Sequence, residues 1–465
     1  MKVALRKVKA PQMDKVMPIE LSDETLNVRK NKVLSAMKIN NFDKLVIYGD
    51  VEHGSNFEYL IGYFPRFEEA LLVIDKDGDM KLLLGNENLN KASKARLVCE
   101  SIHISLFSLP NQPNREDKTL NDCLVEAGIS KNQKVGIVGW KLFTSKLESN
   151  SKLFDVPYYV IDEIKKIVDN EENVVNATEL FIGENGIRTC NVANEIAHYE
   201  FGASLASDCI LDAMNLIEEG VSEFELGDRL VRNGQHTSIV TIASSGPRYI
   251  KANMFPQNRK VKIKDPISLT VGYRGGSSSR AGYAVRKTDD LDESCKNYLE
   301  DLAFPYFKAY AIWLENVKLG LEGKEIFDLI ENVLPRETYH WSLCPGHLTA
   351  EEEWMSSPIY EGSTEILKSG MIFQIDIIPS KEGMAGTCCE STVVLADDNL
   401  KNEIKKQYPD MWDRMQDRIL YIKNELGINI SDDILPMCST VAYMRPYLLN
   451  KECACVIERS EEFEK

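Results

Sequence analysis

A carboxylate inside an apolar strand is the feature that most restricts what this chain can become. Asp376 sits within GMIFQIDIIP (370–379). Burying it unpaired would cost several kcal/mol, on the order of a domain's whole stability margin, so Asp376 needs a partner. The surrounding stretch, 344–390, opens with a Pro-Gly-His turn and an acidic run that ends at Trp354. A Gly370-Met371 turn then feeds the apolar strand, and a second strand carries Glu390. Strand alternation puts Gln374, Asp376 and Ile378 on one face, and Cys388, Glu390 and Thr392 on one face of the later strand. His347 and two carboxylates thereby converge on one pocket, the usual makings of a metal or acid/base site. The plainer alternative is a turn histidine beside a satisfied ion-pair network, and residue spacing leaves both open.

Composition narrows the partners. A chain of 465 residues with 43% apolar content predicts two to four domains with real cores. A net charge of -17 argues against nucleic acid, whose binding draws on Lys and Arg neutralising phosphates. The 11 cysteines are scattered, as reduced thiols would be rather than a disulfide framework. The amino-terminal segment has no apolar run of signal-peptide length, and no segment approaches a membrane helix. The expected location is cytoplasmic, with no membrane partner.

Taken in order, 21–41 reads as a helix capped by Ser22, KLVIYG (44–49) as a strand, and 70–85 as a hairpin turning at Asp77-Gly78. QKVGIVGW (133–140) is another strand. These make an α/β domain ending in the polar stretch 168–190. A long helix follows from Asn191 to about Glu218, and Ser222 with Glu225 forms a capping box for the next. Two further helices are expected over 292–320 and 324–334. In 401–465 a charged helical stretch precedes a tail, and its mixed charges read as a solvated helix face.

The order PGH, SSPI, GMIFQIDIIP and CCESTVVLADD resembles the second half of the pita-bread domain of Xaa-Pro aminopeptidases, prolidases and creatinase (the M24 peptidase family). The resemblance implies an α+β fold, with a creatinase-type α/β domain over 1–175, a pita-bread domain over 176–400 and a helical extension over 401–465. It matches His347, Asp376 and Glu390 to three of five ligands of a dinuclear metal centre. FEYLIGYF (57–64) resembles a family strand that packs on a neighbouring subunit's active site, implying a strand here and a homodimer.

The other two ligand positions fall in ISLTVGYRGGSSSRAGYAV (267–285), and there the pattern departs from the family. Thr270 occupies the first Asp position, and Ala281, or Arg280 with a hairpin one residue shorter, the second. Asn253, Met254 or Phe255 stands near an expected His, and Trp354 replaces a second active-site His. Two divalent cations bring four positive charges, which two carboxylates and a neutral imidazole cannot balance. The expectation is therefore a divergent member that keeps a peptide-shaped cleft for a small peptide or amide ligand. It would have no cofactor and would act as a pseudopeptidase or binding module. Catalytic roles would fall to His347, Asp376 and Glu390, and substrate contacts to Asn253, Arg280 and Trp354. The alternative is an active C-N bond hydrolase using one metal or none. A single Mn, Zn or Fe ion would then rest on His347, Asp376 and Glu390, helped by Cys388. Failing a metal, Arg280 or Arg248 would supply the positive charge.

Overall fold

The computed structural model describes residues 1–113, 118–250 and 255–459. Strand β1 (Lys2–Lys7) opens the chain. Residues 21–189 form one compact unit, and residues 1–20 join 190–465 in the other. The division at Thr189 and Cys190 lies inside the polar stretch noted above and beyond the boundary expected at 175. Neither the first twenty residues nor 401–459 stands apart from the larger unit.

In the smaller unit Ser22 accepts a hydrogen bond from Thr25 N and starts the Asp23–Ile39 helix. The unit's sheet contains β2 (Lys44–Gly49), β3 (Ala70–Asp75), β4 (Met80–Leu84), β5 (Glu100–His103), β6 (Val135–Val138) and β7 (Val174–Asn176). They lie in the order β5-β4-β3-β2-β6-β7, with the β2–β3–β4 pairings antiparallel and the outer ones parallel. The helix Tyr158–Val168 presents Val160, Ile161, Ile164 and Val168 to a core that includes Val46, Val73 and Ile137, the one-sided burial that helical spacing produces.

FEYLIGYF is a correction to the sequence reading. Ser55–Ile61 is helical, begun at Gly54 and ended by Gly62 in the left-handed region. A short apolar run has no periodicity of its own to distinguish strand from buried helix, and here the flanking glycines decide.

The larger unit has two four-stranded antiparallel sheets. One runs β13-β10-β9-β8, from β8 (Ile242–Ser245), β9 (Pro266–Tyr273), β10 (Gly276–Tyr283) and β13 (Cys388–Glu390). The other runs β11-β12-β14-β15, from β11 (His347–Leu348), β12 (Ile372–Gln374), β14 (Thr392–Leu395) and β15 (Ile434–Pro436). The chain crosses from one to the other at Ser391, whose carbonyl accepts from Ile375 N at 3.0 Å. Strand β16 (Cys453–Glu458) pairs antiparallel with β1.

The helix Ala193–Leu216 packs on the β9–β10 hairpin. Pro409–Asn424 shows the expected solvated face at Asp410, Asp413 and Asp417 and also turns two arginines inward. Arg414 and Arg418 both meet the buried Glu200, and Arg418 also reaches Asp14 at 2.9 Å. No local spacing rule shows such long-range pairs. Among the described residues no helix is long and apolar enough to cross a membrane.

Candidate functional site

The site is built from the β9–β10–β13 face. Thr270 stands opposite Ser279, and Ser279 opposite Glu390. Alternation places Ser277, Ser279 and Ala281 on one face with Cys388 and Glu390, and turns Arg280 and Cys389 to the other. Hydroxyl and amide donors hold Glu390. Ser277 Oγ donates to Glu390 Oε1 at 2.7 Å and Gln374 Nε2 to the same oxygen at 2.9 Å. Thr392 Oγ1 donates to Gln374 Oε1 at 2.7 Å and fixes that amide. Among the described residues, the donors on this side of the carboxylate are neutral.

His347, wholly buried, stands opposite Gln374 on β11. Its Nδ1 lies 3.3 Å from Leu348 O. Its Nε2 lies 3.1 Å from Glu353 Oε1 and 3.9 Å from Asp376 Oδ2. Asp376 Oδ2 is too far for a hydrogen bond, and by hydrogen-bond geometry Nε2 and Asp376 Oδ1 are both buried without a partner. Trp354 stacks on the imidazole at 4.0 Å between ring centroids, which holds the ring's orientation. One ligand atom each from His347, Glu353 and Glu390 lies within 4.8 Å of the others.

The electrostatics report a shortage of positive charge. Burial, then the charge of Glu390, pushes Asp376 well above the usual carboxylate range. Burial and the charge of Glu353 raise Glu390 against the hydrogen bonds of Ser279 and Ser277. Burial works to lower His347, but Glu353, ahead of Asp376 and Glu390, outweighs it and leaves the imidazole above its ordinary value. Burial and the charges of Glu390 and Asp376 push the Cys388 thiol up as well.

These directions carry a pH dependence for the protein stripped of ions. A group raised on folding stabilises below its unfolded pKa, and that contribution is lost as pH rises through the folded value. Asp376, Glu390 and His347 all have this sign. Above about pH 5.5 ordinary carboxylates are already ionised, so the urea midpoint in chelator should fall from about pH 5.5 to about pH 8. Asp376→Asn should flatten the slope, and a midpoint that rises over this window would contradict the electrostatics.

The structure brings His347, Asp376 and Glu390 together, with Trp354 beside them. Arg280 is a correction: it is buried on the opposite face of β10, and its guanidinium reaches only the main chain and Ser391 Oγ. It can neither touch a ligand on the Glu390 face nor pair with that carboxylate. Arg248 is held by the buried Glu223 at 2.8 Å. Asn253 lies outside the described residues. Sequence reasoning missed Glu353, along with Ser277 and Gln374 as holders of Glu390. The acidic run 351–353 was visible, but a loop has no period from which to read which of its carboxylates turns inward.

Two antiparallel sheets backed by helices, in a chain that also carries an α/β unit, give the pita-bread architecture. No family model matches the sequence, and no curated protein does. Solved structures do match. The Xaa-Pro dipeptidase of Bacillus anthracis aligns at TM-score 0.60 with 16% identity, over 80% of this chain and 96% of that one. The prolidase of Pyrococcus horikoshii OT3 aligns at TM-score 0.60 with 17% identity, over 80% and 96%. The dipeptidase PepE of Mycobacterium ulcerans aligns at TM-score 0.62 with 15% identity, over 81% and 95%. The chain thus has the fold of the Xaa-Pro peptidases, and the resemblance read from its motifs holds at that level.

Proposed function

We propose that this chain is a pseudopeptidase, a cytoplasmic protein that binds a small peptide or amide in an inherited cleft without dinuclear hydrolysis. The observation that carries the reading is the hairpin face itself. Thr270, Ser279 and Ala281 lie beside Glu390 where a second cation would need anions, and Arg280, the one charged side chain of β10, is turned away. Charge balance argues against two ions: even with Glu353 counted, three carboxylates oppose four positive charges. A homodimer belongs to the same reading, checked by sedimentation equilibrium.

Two assays test it. Incubation with Xaa-Pro dipeptides and added Mn²⁺ or Co²⁺ should give no turnover above background, and sustained turnover would end the pseudopeptidase reading. Thermal shift with proline-containing peptides should reveal stabilisation, and a flat response across the series would remove the cleft's supposed role. A second reading, hydrolysis with a single ion, is favoured only by the cluster of His347, Glu353 and Glu390.

A further inference from the structure

We infer that His347, Glu353 and Glu390 form a mononuclear site for a first-row divalent transition ion, with Glu353 rather than Asp376 as its third ligand. The inference rests on the proposed loss of the dinuclear centre and goes beyond it. Glu353 lies on neither β12 nor β13 and matches no ligand position in the motifs that carry the family resemblance. It enters only because the turn after β11 brings the acidic run back over the imidazole.

Two independent observations support the site. Its three ligand atoms fall within 4.8 Å of one another, so small side-chain shifts would bring all three to about 2.0–2.2 Å from a common ion. His347 Nε2 and Asp376 Oδ1, both deeply buried, have no hydrogen-bond partner, although buried polar atoms are ordinarily satisfied. The supporting groups are those such a site needs. The Leu348 carbonyl lies 3.3 Å from Nδ1, where a proton on that nitrogen would leave the Nε2 lone pair facing the carboxylates. Ser277 and Gln374 hold Glu390 through Oε1. Asp376 stands just outside, 3.9 Å from Nε2. One nitrogen and two carboxylate oxygens suit Zn²⁺, Fe²⁺ or Mn²⁺ better than Mg²⁺ or Ca²⁺.

The test is titration calorimetry of chelator-stripped full-length protein with Zn²⁺, Mn²⁺ and Mg²⁺. One equivalent of Zn²⁺ should bind, more tightly than Mn²⁺, with Mg²⁺ giving no heat. Glu353→Gln should weaken Zn²⁺ about 100-fold, the top of the range seen when a metal site's supporting groups are removed, and Asp376→Asn should weaken it far less. Glu353→Asp keeps the charge but shortens the reach: a ligand would lose affinity, whereas a residue acting only through its field would not. Melting curves check that each variant is folded. Absence of Zn²⁺ binding, or unchanged affinity in both Glu353 variants, overturns the site and leaves the pseudopeptidase reading standing. Two equivalents would overturn that reading instead.

Discussion

Gly202→Ala should destabilise the larger unit by on the order of 4 kcal/mol, although alanine is the better helix former by about 1 kcal/mol. Gly202 lies where the Ala193–Leu216 helix crosses the β9–β10 turn. A Cβ there would stand 1.7 Å from the carbonyl oxygen of Arg274 and 2.6 Å from its carbon. Both atoms are backbone, so no rotamer change relieves the overlap. The facing side is equally closed: Gly275 has φ +105°, and its Cβ would lie 2.1 Å from Tyr199 O. Helix and hairpin must separate, and the hairpin carries Ser277 and Ser279. Urea denaturation checks this directly. A midpoint equal to or above that of the parent would mean that the two backbones are not in contact.

The second large effect concerns Arg280. Its guanidinium donates to Tyr443 O at 3.0 Å, Ser279 O at 2.7 Å, Glu390 O at 2.7 Å, Thr440 O at 2.6 Å and Ser391 Oγ at 3.2 Å. It ties β10, β13 and the segment after β15 together behind the site. Methionine keeps much of the volume but strands those acceptors, each costing about 1–3 kcal/mol when left buried and unpaired. Some will relax toward one another, so Arg280→Met should cost on the order of 4 kcal/mol in total. Lysine, a point charge that reaches only part of the set, should fall between. A loss under about 1 kcal/mol for methionine would show that the carbonyls find other donors.

Much of the frame was legible because it rests on local chemistry. The Ser22 cap, the Asp77-Gly78 hairpin and the Ser222–Glu225 capping box each declare themselves within a few residues. The inward face of β10 was legible only up to a parity. The second ligand position could fall on Ala281 or on Arg280, and the two-residue turn at Arg274-Gly275 puts Ala281 on the Glu390 face by pairing Tyr273 with Gly276 and Thr270 with Ser279. One residue of slip exchanges every side chain between faces, so the same uncertainty misplaced Arg280. Glu353 was hidden for the reason given above. The inward-turned Arg414 and Arg418 were hidden because their partners, Glu200 and Asp14, lie far away in sequence. The charge pattern asked for a partner for Asp376, and the structure offers only His347 at 3.9 Å among the described residues, while Glu390 and Glu353 add like charge.

The account depends on a hairpin with no anion to offer a second cation. Anomalous diffraction from crystals soaked in Mn²⁺ tests that most directly. The expected result is one peak bounded by His347, Glu353 and Glu390, with nothing above noise between Thr270 and Ala281. Two peaks about 3.5–4 Å apart, the separation of paired catalytic ions, would contradict it.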